Sequence, residues 1–132
     1  MNAQRCNLVM IVDDDPDILE IVELVLRRQG MSVATARDGA EALSLLRDDE
    51  LNPCMILLDL MMPGMNGFQM LQAMAGDASL KDIPVVVVTG AGVLVDKRRD
   101  EITGQVIRKP FELPELMSAV RKHCAQPVTA RS

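Results

Sequence analysis

The chain has 132 residues, 48% of them hydrophobic and 25% charged, with a formal net charge of -5. That length supports one domain with a core of its own, and the acidic balance argues against a nucleic-acid binder, which carries a basic face. There is no Trp or Tyr, and two Phe, Phe68 and Phe111, so aromatic surface for stacking bases is lacking too.

Leu8 to Val12 is a continuous apolar run, the pattern of a strand covered on both faces. It is too short for the apolar core of a signal peptide and runs straight into Asp13, Asp14 and Asp15. Asp15 can cap a following helix with Pro16 at its first position. Ile18, Ile21, Val22, Val25 and Leu26 recur at helical spacing, and Gly30 ends that helix. Ser32 to Ala36 is the second expected strand, and Asp38-Gly39 is read as a turn. Ala42, Leu43, Leu45 and Leu46 mark a second helix, Met55 to Asp59 the third strand, and Gly67 to Ala75 a third helix.

Val85 to Val88 is the clearest strand, opened by Pro84 and closed at Thr89. The apolar stretch Pro84 to Val95 is broken by Thr89, Gly90 and Gly92, so it is not a membrane span. A weaker helix is expected around Leu94 to Ile102, a short fifth strand at Val106-Ile107, and a last helix over Leu113 to His123. Residues 1–125 thus read as one domain and 126–132 as a tail or linker stub. The three cysteines, Cys6, Cys54 and Cys124, are far apart, odd in number and without CxxC spacing. Neither a disulfide framework nor a zinc site is expected from them, Cys54 reads as a small core hydrophobe, and a reducing cytoplasm is the expected compartment.

Uniformly apolar strands alternating with helices imply an α/β fold, a parallel sheet with helices on both faces. Ligands in such sheets sit at the carboxyl ends of the strands. Those ends carry Asp13, Asp14 and Asp15 after the first strand, Asp59 on the third, Thr89 on the fourth and Lys109-Pro110 after the fifth. If Asp13, Asp14 and Asp59 converge, each pair at about 5 Å costs roughly 3 kcal/mol at an effective dielectric of about 20. A cation offsets that repulsion, and carboxylate oxygens favour Mg²⁺ or Mn²⁺ over zinc. A lysine and a hydroxyl beside such a metal suit phosphoryl transfer onto a carboxylate.

Taken singly, each of these residues has a plainer reading. Asp13 and Asp14 are ordinary acids at a helix start, Asp59 a solvated turn residue, Lys109 a surface lysine and Thr89 a strand-end hydroxyl. His123 is a helix-end histidine, and the methionines at 61, 62, 65, 70 and 74 are packing residues. Lys97, Arg98 and Arg99 form a solvated helix face. It is the joint occurrence at successive strand ends that carries the functional reading.

In "VDDDP" (Val12 to Pro16), "LLDLMMPGMNG" (Leu57 to Gly67), "VVVTG" (Val86 to Gly90) and "KPF" (Lys109 to Phe111), the chain resembles the receiver domain of two-component response regulators. The likeness runs from about Leu8 to Cys124. It implies a doubly wound, flavodoxin-like five-stranded parallel sheet in the order 2-1-3-4-5. It implies Asp59 as phosphoacceptor, Asp14 as direct metal ligand, Asp13 acting mainly through a metal-bound water, and the backbone carbonyl of Met61 as a further ligand. Thr89 resembles the switch hydroxyl and Lys109 the phosphoryl-binding lysine. Pro63 and Gly67 shape the loop after Asp59, and the Lys109-Pro110 bond is expected to be cis. A histidine kinase or histidine phosphotransfer protein is the implied donor. A downstream protein is the implied target, and a phosphorylation-dependent homodimer is a candidate assembly.

The chain departs from the family at Val106, where an aromatic is frequent, and at Gly90, where alanine is usual; both concern the output face. Three rival readings are weaker. An aspartate-nucleophile phosphatase wants a second acid two residues after the first, and position 61 is Met. A flavodoxin-like cofactor binder wants Gly, Ser or Thr in its first loop, which here holds three acids. A degenerate receiver serving only as a protein-binding module would lack one of the active-site groups, and all are present.

Overall fold

The computed structural model describes residues 7–90 and 104–124. The expected helix near Leu94 to Ile102, the basic cluster Lys97 to Arg99, Cys6 and the tail at 126–132 lie outside the described residues. Strand β1 (Leu8–Val12) leads to α1 (Pro16–Arg28), β2 (Ser32–Ala36), α2 (Gly39–Arg47), β3 (Met55–Asp59) and α3 (Gly67–Ala75). Strands β4 (Val85–Thr89) and β5 (Val106–Arg108) follow, and then α4 (Leu113–His123). The strands form one sheet in the order β2-β1-β3-β4-β5, every pairing parallel.

Strand side chains alternate between the two faces, and the core divides accordingly. Val9, Ile11, Leu57, Val86 and Val88 face one layer with Leu19, Val22 and Leu26 of α1 and Leu116, Met117, Ala119 and Val120 of α4. Met10, Val12, Ile56 and Leu58 face the other with Ala42, Leu43 and Leu46 of α2 and Met70 and Met74 of α3. Covering on both faces explains why β1 is apolar throughout and β3 apolar up to Asp59, whereas edge strand β2 is only partly buried.

The helix ends follow local chemistry. Asp15 accepts a hydrogen bond from the Asp17 N–H at 2.9 Å, and Pro16 opens α1. At its other end the Met31 N–H reaches the Leu26 carbonyl and the Gly30 N–H the Arg27 carbonyl, with Gly30 at φ 87. This is the Schellman arrangement that glycine favours. Asp38-Gly39, expected as a turn, instead starts α2: Asp38 accepts from the Glu41 N–H at 2.8 Å and Gly39 is the first helical residue. The Lys109-Pro110 peptide is cis, as the resemblance implied.

One expectation is overturned. Cys54 and Cys124 form a disulfide across a sequence separation of 70, with Cα atoms 5.5 Å apart. Cys54 lies just before β3, and the end of α4 returns to the same edge of the sheet. That meeting depends on how α4 packs, which cysteine spacing does not encode. The cysteine pattern therefore gives no support to a reducing compartment.

Candidate functional site

The parallel sheet brings the carboxyl ends of β1, β3, β4 and β5 to one edge. Val12 pairs with Leu58, Asp59 with Val88, and Thr89 with Arg108. One carboxylate oxygen each of Asp13, Asp14 and Asp59 lie within 4.8 Å of one another. Asp13 and Asp59 are buried and Asp14 is exposed. Asp15 points elsewhere in function: it caps α1.

Each acid is held by defined donors. Asp13 Oδ1 accepts from the Asp15 N–H at 2.9 Å, and its Oδ2 from Lys109 Nζ at 2.9 Å. Asp59 Oδ1 accepts from the Met61 N–H at 3.0 Å, and its Oδ2 from Lys109 Nζ at 3.3 Å. Lys109 thus bridges the two buried acids. Its own backbone N–H donates to the Thr89 carbonyl at 3.0 Å, which ties the lysine to the end of β4. Thr89 is fully buried. Met61 is exposed in the loop after β3.

The electrostatics are unbalanced. Burial is the main cause that raises the Asp59 carboxyl above its usual range; the Asp13 charge adds to it, while the Met61 N–H and Lys109 oppose it. Burial pushes the Lys109 ammonium down, but its hydrogen bond and charge interaction with Asp13, then those with Asp59, outweigh this and leave it raised. Among the described residues, Lys109 pairs with two acids of a cluster of three carboxylates. An all-oxygen donor set with surplus negative charge, one member open to solvent, fits a hard hydrated dication. Asp13 and Asp59 each place both oxygens on protein donors, whereas Asp14 is open to solvent and free to approach such an ion directly. The structure brings together the acids of the expected metal set, Asp13, Asp14 and Asp59, with Met61 in the loop that follows Asp59.

The loop after Asp59 has supports that the sequence reading missed. Asn66 and Gln69 form a reciprocal capping box at the start of α3, with hydrogen bonds of 2.8 and 3.0 Å. The Asn-x-x-Gln spacing before an apolar run was the available signal. The Gly39 N–H donates to the Met65 carbonyl at 3.1 Å, so the loop also rests on the start of α2. Gly64 takes a left-handed φ of 73 in the turn. Gly67 sits against the backbone of Asp59 and Leu60, and its N–H donates to the Leu60 carbonyl at 3.0 Å. Val106, the departure from the family pattern, is partly buried against Leu60, Phe68 and Val87.

A doubly wound sheet in this order, with clustered acids and a lysine at the carboxyl ends of its strands, defines the class of signal-receiver domains. The chain belongs to the response regulator receiver domain family, which matches residues 9–121. It is a receiver domain of the two-component type that works in phosphorelay signalling, a class of switch rather than of classical enzyme. The DNA-binding response regulator MtrA of Mycolicibacterium smegmatis is 37% identical over 115 residues, which cover 86% of this chain and 48% of that protein. Protein PilG of Pseudomonas aeruginosa is 34% identical over 117 residues, covering 87% of this chain and 85% of PilG. The chain therefore spans about half the length of MtrA and most of PilG. Among solved structures, the signal receiver domain of a histidine kinase from Syntrophus aciditrophicus superposes with a TM-score of 0.79 at 27% identity, covering 88% of each chain. Among the described residues, no helix is long and apolar enough to cross a membrane.

Proposed function

We propose that Asp59 accepts a phosphoryl group from a histidine kinase or a histidine phosphotransfer protein. The observation that carries this reading is the contact of Lys109 Nζ with Asp59 Oδ2 beside Asp13 and Asp14. An Asp59 carboxylate oxygen forms the new P–O bond as the P–N bond to the donor imidazole breaks, and the leaving nitrogen keeps the electron pair. Lys109 is placed to pair with a phosphoryl oxygen by a charge-assisted hydrogen bond. Thr89 is the hydroxyl for a second oxygen. Mg²⁺ or Mn²⁺, when bound, neutralises charge on the transferring group. Asp14, Asp59 and the Met61 carbonyl would hold it, with Asp13 behind them. The domain promotes only its own phosphorylation and dephosphorylation.

The rest of the reading follows from that role. Residues 1–125 act as the receiver unit and 126–132 as a tail or linker stub. The domain works in the cytoplasm, where the kinase domain presents its phosphohistidine. It controls a downstream protein, or a phosphorylation-dependent homodimer, rather than acting on nucleic acid or membrane directly.

Intact-mass measurement with a small phosphodonor such as acetyl phosphate tests the acceptor. In Mg²⁺ the wild type gains one phosphoryl group. Asp59→Asn gains none, because an amide is not a usable nucleophile, and wild type without divalent cation gains little. A phosphoryl group mapped to another residue overturns the assignment.

Metal binding has its own readout in thermal melts of the unphosphorylated protein. At tenfold excess over Kd, Mg²⁺ stabilises by about 1.4 kcal/mol. For a domain of this size that raises Tm by roughly 4 °C. Asp14→Ala removes most of the shift; an equal shift in wild type and variant rejects the proposed ligand set.

A further inference from the structure

We infer that Cys54 and Cys124 form a reversible redox clasp, exchanging with a small carboxylated thiol–disulfide couple of the glutathione kind, that sets how firmly the end of α4 is held to the sheet. This rests on the cytoplasmic receiver reading for its compartment. Intracellular disulfides are commonly transient and redox-responsive, whereas secreted ones are staples.

The bond joins two elements whose opposite ends serve the phosphoryl site. Cys54 lies five residues before Asp59, just ahead of β3, and Cys124 caps the helix that follows Lys109 and Phe111. At the start of α4 Glu112 makes no side-chain capping bond, and the hold there comes from Phe111 packing on the core. Its hold on the sheet comes from Leu116, Met117, Ala119 and Val120, and at its far end from Cys124. Opening the disulfide therefore releases the end of α4 without touching the carboxylate cluster.

Both redox forms are accommodated. In the disulfide form Cys54 Sγ lies 3.1 Å from the Leu8 carbonyl, an acceptor at hand for an S–H if the bond is reduced. Cys124 sits in the apolar cluster, where a free thiol packs as a small hydrophobe. Cys124 is buried, so a reagent approaches the pair from the Cys54 side. Cys54 is half-buried and lines an open groove with Asn52, Pro53, Ser79 and Asp82. Exposed Arg121 and Lys122, within three residues of Cys124, favour an anionic thiol, and exposed Asp82 in the groove opposes it.

The exchange balances without a metal or flavin. One cysteine thiolate attacks a sulfur of the external disulfide, whose S–S bond breaks, and the departing thiolate takes up a proton. The second cysteine thiolate then attacks the first cysteine's sulfur in the mixed disulfide and displaces the other small thiol. Two electrons pass from the cysteine pair to the external disulfide, and the reverse steps open the clasp.

The test uses the full chain in a Cys6→Ser background, equilibrated across reduced-to-oxidised glutathione ratios. Alkylation followed by mass measurement counts free thiols, amide exchange reads α4, and labelling of Asp59 by acetyl phosphate is followed in parallel. The thiol count should move reversibly between none and the full pair. Amides at the end of α4 should exchange roughly tenfold faster when reduced, with β3 unchanged. Cys124→Ser should exchange like the reduced form under all ratios. The inference is overturned if the pair never oxidises, if α4 exchanges equally in both forms, or if reduction unfolds the whole domain. Absence of Asp59 labelling in both redox forms rejects the phosphoacceptor reading instead, and leaves the clasp to be judged on thiol count and exchange.

Discussion

Gly67→Ala is expected to destabilise the domain by about 3 kcal/mol, from overpacking together with a lost hydrogen bond. A Cβ built on Gly67 falls 2.6 Å from the Leu60 Cα and 2.7 Å from the Asp59 carbonyl oxygen. Both obstacles are backbone, so no side-chain rotation relieves them. Either α3 retreats, losing the hydrogen bond from the Gly67 N–H to Leu60, or the end of β3 shifts and carries Asp59 with it. Helix propensity alone predicts the opposite sign, since alanine is favoured over glycine by about 1 kcal/mol inside a helix. Gly76→Ala is the matched control. Its new Cβ meets nothing nearer than 3.8 Å, at a φ of -88, so stability should hold or rise slightly. Urea denaturation of both variants gives the comparison. Equal stability for Gly67→Ala and wild type would mean that the loop is not packed as described. Phosphoryl acceptance should fall in the variant as well, because a misplacement of about 1 Å can cost two orders of magnitude in rate.

Lys109→Met should be the most damaging change to the site itself. Its Nζ sits between Asp13 and Asp59, whose side chains are only 4% and 7% exposed. Breaking a fully buried pair typically costs 3–5 kcal/mol. Lys109 is itself 25% exposed, so a loss of about 2 kcal/mol is expected in metal-free protein at neutral pH. The pH dependence gives a signature. The raised Lys109 pKa means that its stabilisation is fully present below the unfolded value of 10.5 and is lost as pH rises through the higher folded value. Asp59 behaves in the opposite way to an ordinary paired carboxylate. Its folded pKa lies above 3.8, so wild-type stability from this group falls as pH rises from 3.8 through the folded value. Without Lys109 that fall should extend to higher pH, and the variant should approach wild type as Asp59 protonates. Mg²⁺ should stabilise the variant more than wild type. Denaturation at acidic, neutral and alkaline pH, with and without Mg²⁺, checks each part, and a pH-independent gap between the two proteins would contradict the bridging role.

Why the strand ends were readable and the cysteine pair was not is a matter of range. Leu8 to Val12, Met55 to Asp59 and Val85 to Thr89 announce themselves through local composition, and a parallel sheet necessarily gathers their carboxyl ends. Asp13, Asp59 and Lys109 therefore meet without any knowledge of side-chain packing. The Cys54–Cys124 bond depends on where α4 lands after 70 residues, a tertiary fact with no local trace. Asp38-Gly39 shows a subtler miss. The same dipeptide serves a turn or a helix start, and Glu41 three residues on, together with the close packing of Met65 on Gly39, decides for the helix. Gly67 marks the loop in the sequence, but its crowding against Leu60 is visible only in three dimensions.

The two oxygens of Asp59 are chemically distinct before any donor arrives. Oδ1 is committed to the Met61 N–H and Oδ2 to Lys109, so turning the carboxylate about its Cβ–Cγ bond breaks both contacts. Folding has already removed the nucleophile's rotational freedom, which a flexible surface acid would have to surrender during the encounter itself. An incoming phosphohistidine meets a group with a fixed plane and two inequivalent edges. The angle from which a partner can deliver its phosphorus is accordingly a property of the resting domain, written into the backbone turn at Met61 as much as into the acid.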